Sequence, residues 1–174
     1  MPNHYLVDGY NMLHCTKAYK PMLRMGLETA RDTLINQLSL FCANSQDSVT
    51  LVFDGSEAQE SNVTPFPAVP RLEVRYSPGK HSADTVIERL IYNTPERTRA
   101  VVVTRDRGLR ELCQGMGAFS MAPESFLATV REWESQTAQH VQTHHARKTI
   151  AAVEERLEPG QLKQLEEFKK RLGS

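Results

Sequence analysis

His4-Tyr-Leu-Val-Asp8-Gly9 is a short apolar run that closes on an acid and a glycine, and Val49-Thr-Leu-Val-Phe-Asp54-Gly55 repeats the pattern. Continuous β-branched and aromatic runs of this length read as strands buried on both faces, the kind found in parallel sheets covered by helices. Ala100-Val-Val-Val-Thr104 is the clearest such run, and Arg105-Asp106-Arg107-Gly108 follows it at once. Between the runs the periodicity changes. Leu27, Ala30, Leu34, Leu38 and Phe41 recur at spacings of three and four, which predicts an amphipathic helix over 27–43. Ser82 stands as an N-cap before Ala83-Asp84, with Val86, Ile87, Leu90 and Ile91 forming the apolar face of a second helix. Arg71–Tyr76 and Gly117–Met121 read as further strands and a short helix is expected through about Cys113, while 9–26 and the proline-bearing 56–70 are expected to be loops.

Strands alternating with helices require βαβ crossovers, so the expected fold is α/β, with a mainly parallel sheet in a three-layer α/β/α arrangement. Ligands of such sheets bind beyond the carboxyl ends of the strands. From about Pro123 the pattern is entirely helical: 124–135, about 137–157, a Pro159-Gly160 break, and a last helix to Leu172. The division that follows is a compact domain over 1–135 and a helical C-terminal extension over 136–174. Val141, Ile150, Val153 and Leu157, then Leu162, Leu165, Phe168 and Leu172, give the extension apolar faces that require a partner surface. Docking on the same chain, a homo-oligomer through these helices, and a ribosome are all left open.

Of 174 residues, 40% are hydrophobic and 24% charged, a balance that excludes a disordered or fibrous chain. No apolar run approaches the roughly 20 residues of a membrane span, and no basic segment precedes a hydrophobic one at the start, so a cytoplasmic protein without membrane contact is expected. Cys15, Cys42 and Cys113 form no motif and are expected to be reduced thiols. Net charge is zero, which removes the simplest argument for a nucleic-acid partner. Residues 71–110 nevertheless hold nine Lys/Arg against five acids, a local net of +4.

Asp8, Asp54, Asp84 and Asp106 each fall at a strand end or in the first turn of the next helix, where a parallel sheet gathers them on one edge. Grouped carboxylates raise one another's pKa and are best tolerated around a divalent cation. Oxygen-only ligands suit Mg²⁺ or Mn²⁺, not zinc. Such a site beside a basic zone fits phosphodiester hydrolysis. Glu88 shares a helical face with Asp84. Asn11 can orient water or a phosphate oxygen, or cap a turn. Thr104 can offer its hydroxyl to the same site, and Thr104, Lys80, Arg105 and Arg107 are candidate RNA contacts. No phosphate loop, dinucleotide fingerprint or HExxH helix occurs.

Together, Asp8-Gly-Tyr-Asn11, Phe53-Asp54-Gly55, Ser82-Ala-Asp-Thr-Val-Ile-Glu88 and Val103-Thr-Arg-Asp106 resemble the YacP-like NYN-domain ribonucleases of the PIN-like superfamily, over about residues 4–127. The resemblance implies a PIN-like fold and Mg²⁺- or Mn²⁺-dependent endoribonuclease activity, in some cases on ribosome-associated messenger RNA. It places metal or catalytic roles on Asp8, Asp84 and Asp106, with Asn11 supporting and Asp54 and Glu88 as outer members. Gly55 stands where the family often has alanine, and the stretch from about residue 137 is expected to lie outside the resemblance. The rival expectation is a noncatalytic RNA- or ribosome-binding module with the same fold. A DNA nuclease is the third.

Overall fold

A computed structural model describes residues 1–55, 61–63 and 69–137. The chain divides into two compact units, Met1–Glu134 and Ser135–Ser174. The expected tail helices, with their apolar faces from Val141 to Leu172, lie outside the described residues.

The six strands are β1 (His4–Asp8), β2 (Ser48–Phe53), β3 (Ser61–Val63), β4 (Leu72–Tyr76), β5 (Ala100–Val103) and β6 (Phe119–Met121). They form one sheet in the order β3-β4-β2-β1-β5-β6. All neighbours are parallel except β3 against β4. The helices are α1 (Gly9–Cys15), α2 (Lys20–Met25), α3 (Leu27–Asn44), α4 (Ala83–Asn93), α5 (Arg107–Gly115) and α6 over 123–137. The α/β/α expectation holds.

Side-chain alternation divides the core into two layers. Tyr5, Val7, Val49, Leu51, Phe53, Val101 and Val103 meet α1, α3 and α6 through Met12, Leu34, Leu38, Phe41 and Phe126. Leu6, Val52, Ala100 and Val102 meet α4 and α5 through Val86, Ile87, Ile91, Leu109 and Cys113. Both faces of β1, β2 and β5 are therefore buried, which is why these strands lack polar alternation. Cys113 is core, as its helical position implies.

Residues 9–26 differ from the expected loop. They form α1, a 3₁₀ turn over Lys17–Tyr19, and α2, with Met12, Leu13 and Tyr19 buried. Each piece is too short to show a helical period, and α1 is set by a cap: Asp8 accepts the Asn11 N–H at 3.0 Å. The region 56–70 likewise contains β3, a short antiparallel edge strand.

Register brings the strand ends level. Val7 pairs with Leu51 on one side and Val103 on the other, so the residues that follow, Asp8 and Thr104, stand side by side at the carboxyl edge.

Candidate active site

Asp8 is 8% exposed at the end of the central strand. Its carboxyl pKa is pushed up to about 6, chiefly by burial and further by the charges of Asp84 and Asp54. The Asn11 amide and the Thr104 hydroxyl bind the carboxylate and oppose the shift.

Asp106 ends the next strand's loop and caps α5, accepting the Leu109 N–H at 2.7 Å. Its own N–H donates to the Thr104 hydroxyl at 3.1 Å. Thr104, expected to touch RNA, is instead fully buried, and its hydroxyl links the Asp8 carboxylate to the Asp106 backbone. Asn11 performs a second linkage: its side-chain oxygen accepts the Arg105 N–H at 2.8 Å. The loops after β1 and β5 are thus tied at two points.

Asp54 serves the third loop. Its carboxylate accepts the Ala83 N–H, the first amide of α4, at 2.6 Å. A carboxylate there also meets the positive end of the helix dipole. Ser82 occupies the N-cap position but makes no capping bond; its hydroxyl lies 3.5 Å from that of Thr85. The expected Ser82 cap is therefore replaced by an acid from a distant strand. Asp84, the next residue of α4, has its pKa raised by burial, then by Asp106 and Asp54. The four acids consequently sense one another in the pairs 8–84, 8–54, 84–54 and 84–106.

Glu88 is exposed one turn further along α4. It adds with Asp84 to a shift in the Cys113 thiol that burial mainly causes, to about 11, which places it toward α5. Among the described residues, no three His, Cys, Asp or Glu side chains are already converged to hold an ion.

Two glycines permit this packing. A Cβ on Gly55 would overlap the Ser77 carbonyl oxygen, and one on Gly9 would overlap the Phe53 ring. Gly55 also donates its N–H to the Ser77 hydroxyl at 3.2 Å.

An aromatic row beside Asp8 went unread in the sequence. Tyr10 packs on Phe53 with ring centroids 5.1 Å apart, Phe53 stacks on Tyr76 at 5.6 Å, and the Arg31 guanidinium lies 5.9 Å over Tyr76. The candidate RNA contacts fare differently. Arg105 pairs with Glu124, Arg107 with Glu111 at 2.7 Å, and Lys80 is exposed in the turn before α4. Two cavities of about 510 and 540 Å³ open around Asn3, His4 and Arg99 and around Tyr92 and Arg97, at the opposite, amino-terminal edge.

A family model described as "YacP-like NYN domain" matches residues 5–170. The match takes in the C-terminal segment that was expected to fall outside the resemblance. A relative from Bacillus subtilis (strain 168), described as "Uncharacterized protein YacP", is 27% identical over 154 residues, covering 85% of this chain and 86% of its own. The crystal structure of Rae1 (YacP) from Bacillus subtilis matches with a TM-score of 0.68 at 25% identity, covering 97% of this chain and 95% of that one. A single-substitution variant of the same protein gives 0.68 at 26% identity over 82% and 83%. No helix among the described residues is long and apolar enough to cross a membrane.

Proposed function

Because the chain belongs to the YacP-like NYN domain family, whose domain is nuclease-like, we propose that it is a divalent-cation-dependent endoribonuclease acting at the carboxyl edge of the sheet. The observation that carries the reading is Asp8: a buried carboxylate whose proton affinity is raised by burial and two neighbouring acids is a group that a cation would relieve. The donor set is carboxylate oxygen throughout, which fits Mg²⁺ or Mn²⁺. Asp8, Asp84 and Asp106 would hold the ion, with Glu88 at the margin; Asp54 is committed to the Ala83 amide. When bound, the cation supplies an activated water and offsets charge developing on the phosphate.

The chain's own groups do the positioning. Thr104 fixes the Asp8 carboxylate against the Asp106 backbone, and Asn11 holds the Arg105 amide. Asp106 is exposed on the side open to solvent, where a strand can reach it. The products of this chemistry are a 5′-phosphate and a 3′-hydroxyl. Ribosome-associated messenger RNA is the physiological substrate that the family resemblance suggests.

The test is cleavage of matched RNA and DNA oligomers with Mn²⁺ or Mg²⁺ and with EDTA. RNA is cut only with metal, and Asp106→Asn lowers turnover by orders of magnitude while the fold is retained. Equal cleavage in EDTA overturns the mechanism. A noncatalytic RNA-binding module is the second reading, favoured by the lack of three converged ligands among the described residues; RNA binding without cleavage in any divalent metal would establish it.

A further inference from the structure

The endoribonuclease reading requires a surface that holds the strand, and four of the nine cations of the basic zone at 71–110 are paired with acids. Arg75 pairs with Glu73, Arg99 with Glu96, Arg105 with Glu124 and Arg107 with Glu111. Arg71 directs two of its nitrogens at the Cys42 carbonyl, and Arg97 binds the Tyr92 carbonyl and ring.

A different segment has no such compensation. Between Asp8 and Glu28 the sequence holds Lys17, Lys20 and Arg24, with His14, and no acid. All four side chains are exposed. Among the described residues, Lys17, Lys20 and Arg24 make no ion pair. Lys17 and Lys20 are three apart across a 3₁₀ turn, and Lys20 and Arg24 are four apart on α2. Both spacings place side chains on one face, so the three cations form a row that advances about 6 Å per four helical residues.

Topology puts the Arg24 end of the row at the acidic edge. β1 ends there, and β2 runs parallel to it, so the chain must return to the opposite edge before β2 begins. α3 makes that return: 18 residues long, it spans roughly 27 Å at 1.5 Å per residue. The start of α3, with Arg24 of α2 just before it, therefore lies on the carboxyl side, while the 3₁₀ turn lies further along α3, where the Tyr19 hydroxyl donates to Gln37 at 2.6 Å. The ring contacts agree, with Tyr10 on Phe53 at the end of β2 and Arg31 of α3 over Tyr76 at the end of β4. Glu28 and Asp32 begin α3 and come only after the row. Met25 is 77% and Leu27 44% exposed beside it, an apolar shelf of the kind a base face can rest on.

We propose that Lys17, Lys20 and Arg24 form the track that holds the phosphates of a single RNA strand and leads it to Asp8. The inference rests on the endoribonuclease reading but assigns binding, not cleavage. Flexible cations on one helical face grip phosphates without reading sequence. The track therefore supplies affinity common to all sequences.

The full chain carrying Lys17→Ala, Lys20→Ala and Arg24→Ala is compared with wild type and with Arg97→Ala/Arg99→Ala at the far edge. A fluorescent single-stranded RNA oligomer is titrated in EDTA across a salt series, and cleavage is measured with Mn²⁺. The triple variant should bind about tenfold or more weakly at low salt, with a log–log salt slope shallower by about 2, the value for three single-strand phosphate contacts. Its KM should rise while turnover at saturating RNA is kept. Lys17→Arg/Lys20→Arg with Arg24 intact should bind as wild type, separating charge from fold. A triple variant with wild-type affinity and slope overturns the track and leaves the row to an acidic protein surface. RNA that binds through the three cations but is never cut supports the track and removes the endoribonuclease reading. A wild-type chain that binds no RNA removes both.

Discussion

The side-chain oxygen of Asn11 accepts the backbone N–H of Arg105 at 2.8 Å across 94 residues of sequence. The bond joins the loop that carries Asp8 to the loop that carries Asp106. Asn11→Ala should lower stability by about 1 kcal/mol, the usual worth of one such bond, and lower cleavage more than the stability loss explains. Urea melts and RNA turnover at a temperature well below unfolding check this. Unchanged turnover would mean that Thr104 alone keeps the loops in place.

Asp8 gives a pH prediction with a definite sign. Its carboxyl is raised from 3.8 to about 6, so between those values the native state binds more protons than the unfolded state, and its contribution to stability falls as pH rises through that window. Above about pH 6 the ion-free protein carries the full penalty, on the order of 2–3 kcal/mol. Asp8→Asn removes the charge yet keeps an oxygen to cap α1. In EDTA the variant should melt above wild type at about pH 8, with the gap closing toward pH 4. Mn²⁺ should raise the melting temperature of wild type but not of the variant, since a ligand of the native state stabilises by mass action. A variant less stable than wild type at pH 8 would contradict this account of Asp8.

For Asp54 the structure separates two roles that one substitution would confuse. If its task is to accept the Ala83 N–H, Asp54→Asn retains most stability and Mn²⁺ response, while Asp54→Ala loses about 1 kcal/mol. If it instead holds the cation, both variants lose the Mn²⁺ shift equally. Thermal melts with and without Mn²⁺ decide between them.

Gly55→Ala should destabilise this chain by about 1–3 kcal/mol, because the added Cβ meets a backbone oxygen, not a movable side chain. Chemical denaturation measures it. A neutral substitution would show that the Ser77 backbone shifts at little cost.

What the sequence disclosed follows from the range of the forces involved. β1, β2 and β5 were readable because burial on both faces writes itself as an unbroken apolar run. The positions of Asp8 and Asp106 follow from β1 and β5, and that of Asp84 from the start of α4. α1 and α2 were not readable: at seven and six residues they complete too few turns for a period, and one depends on a cap from the strand before it. The substitution of Asp54 for Ser82 at the start of α4 was hidden for another reason, since the two partners of that bond lie 29 residues apart. The same holds for the arginines of 71–110. Their number was visible, but the glutamates that pair with four of them were assigned only by folding, and among the described residues Lys17, Lys20 and Arg24, outside that zone, make no ion pair.

Asn11, Ala83 and Leu109 donate the amides that Asp8, Asp54 and Asp106 accept. The helices α1, α4 and α5 therefore do not merely stand near the acids; each begins on one of them. A cation drawing on the Asp8 and Asp106 carboxylates must change the electron density at the Asn11 and Leu109 N–H groups, and fraying of any of the three first turns must disturb a carboxylate. The Asn11 and Leu109 amide resonances are thus built-in reporters, with Ala83 as the internal comparison: the chemical shifts of the first two should follow cation binding, and their hydrogen exchange should slow together when the ion is present, before any substrate is added.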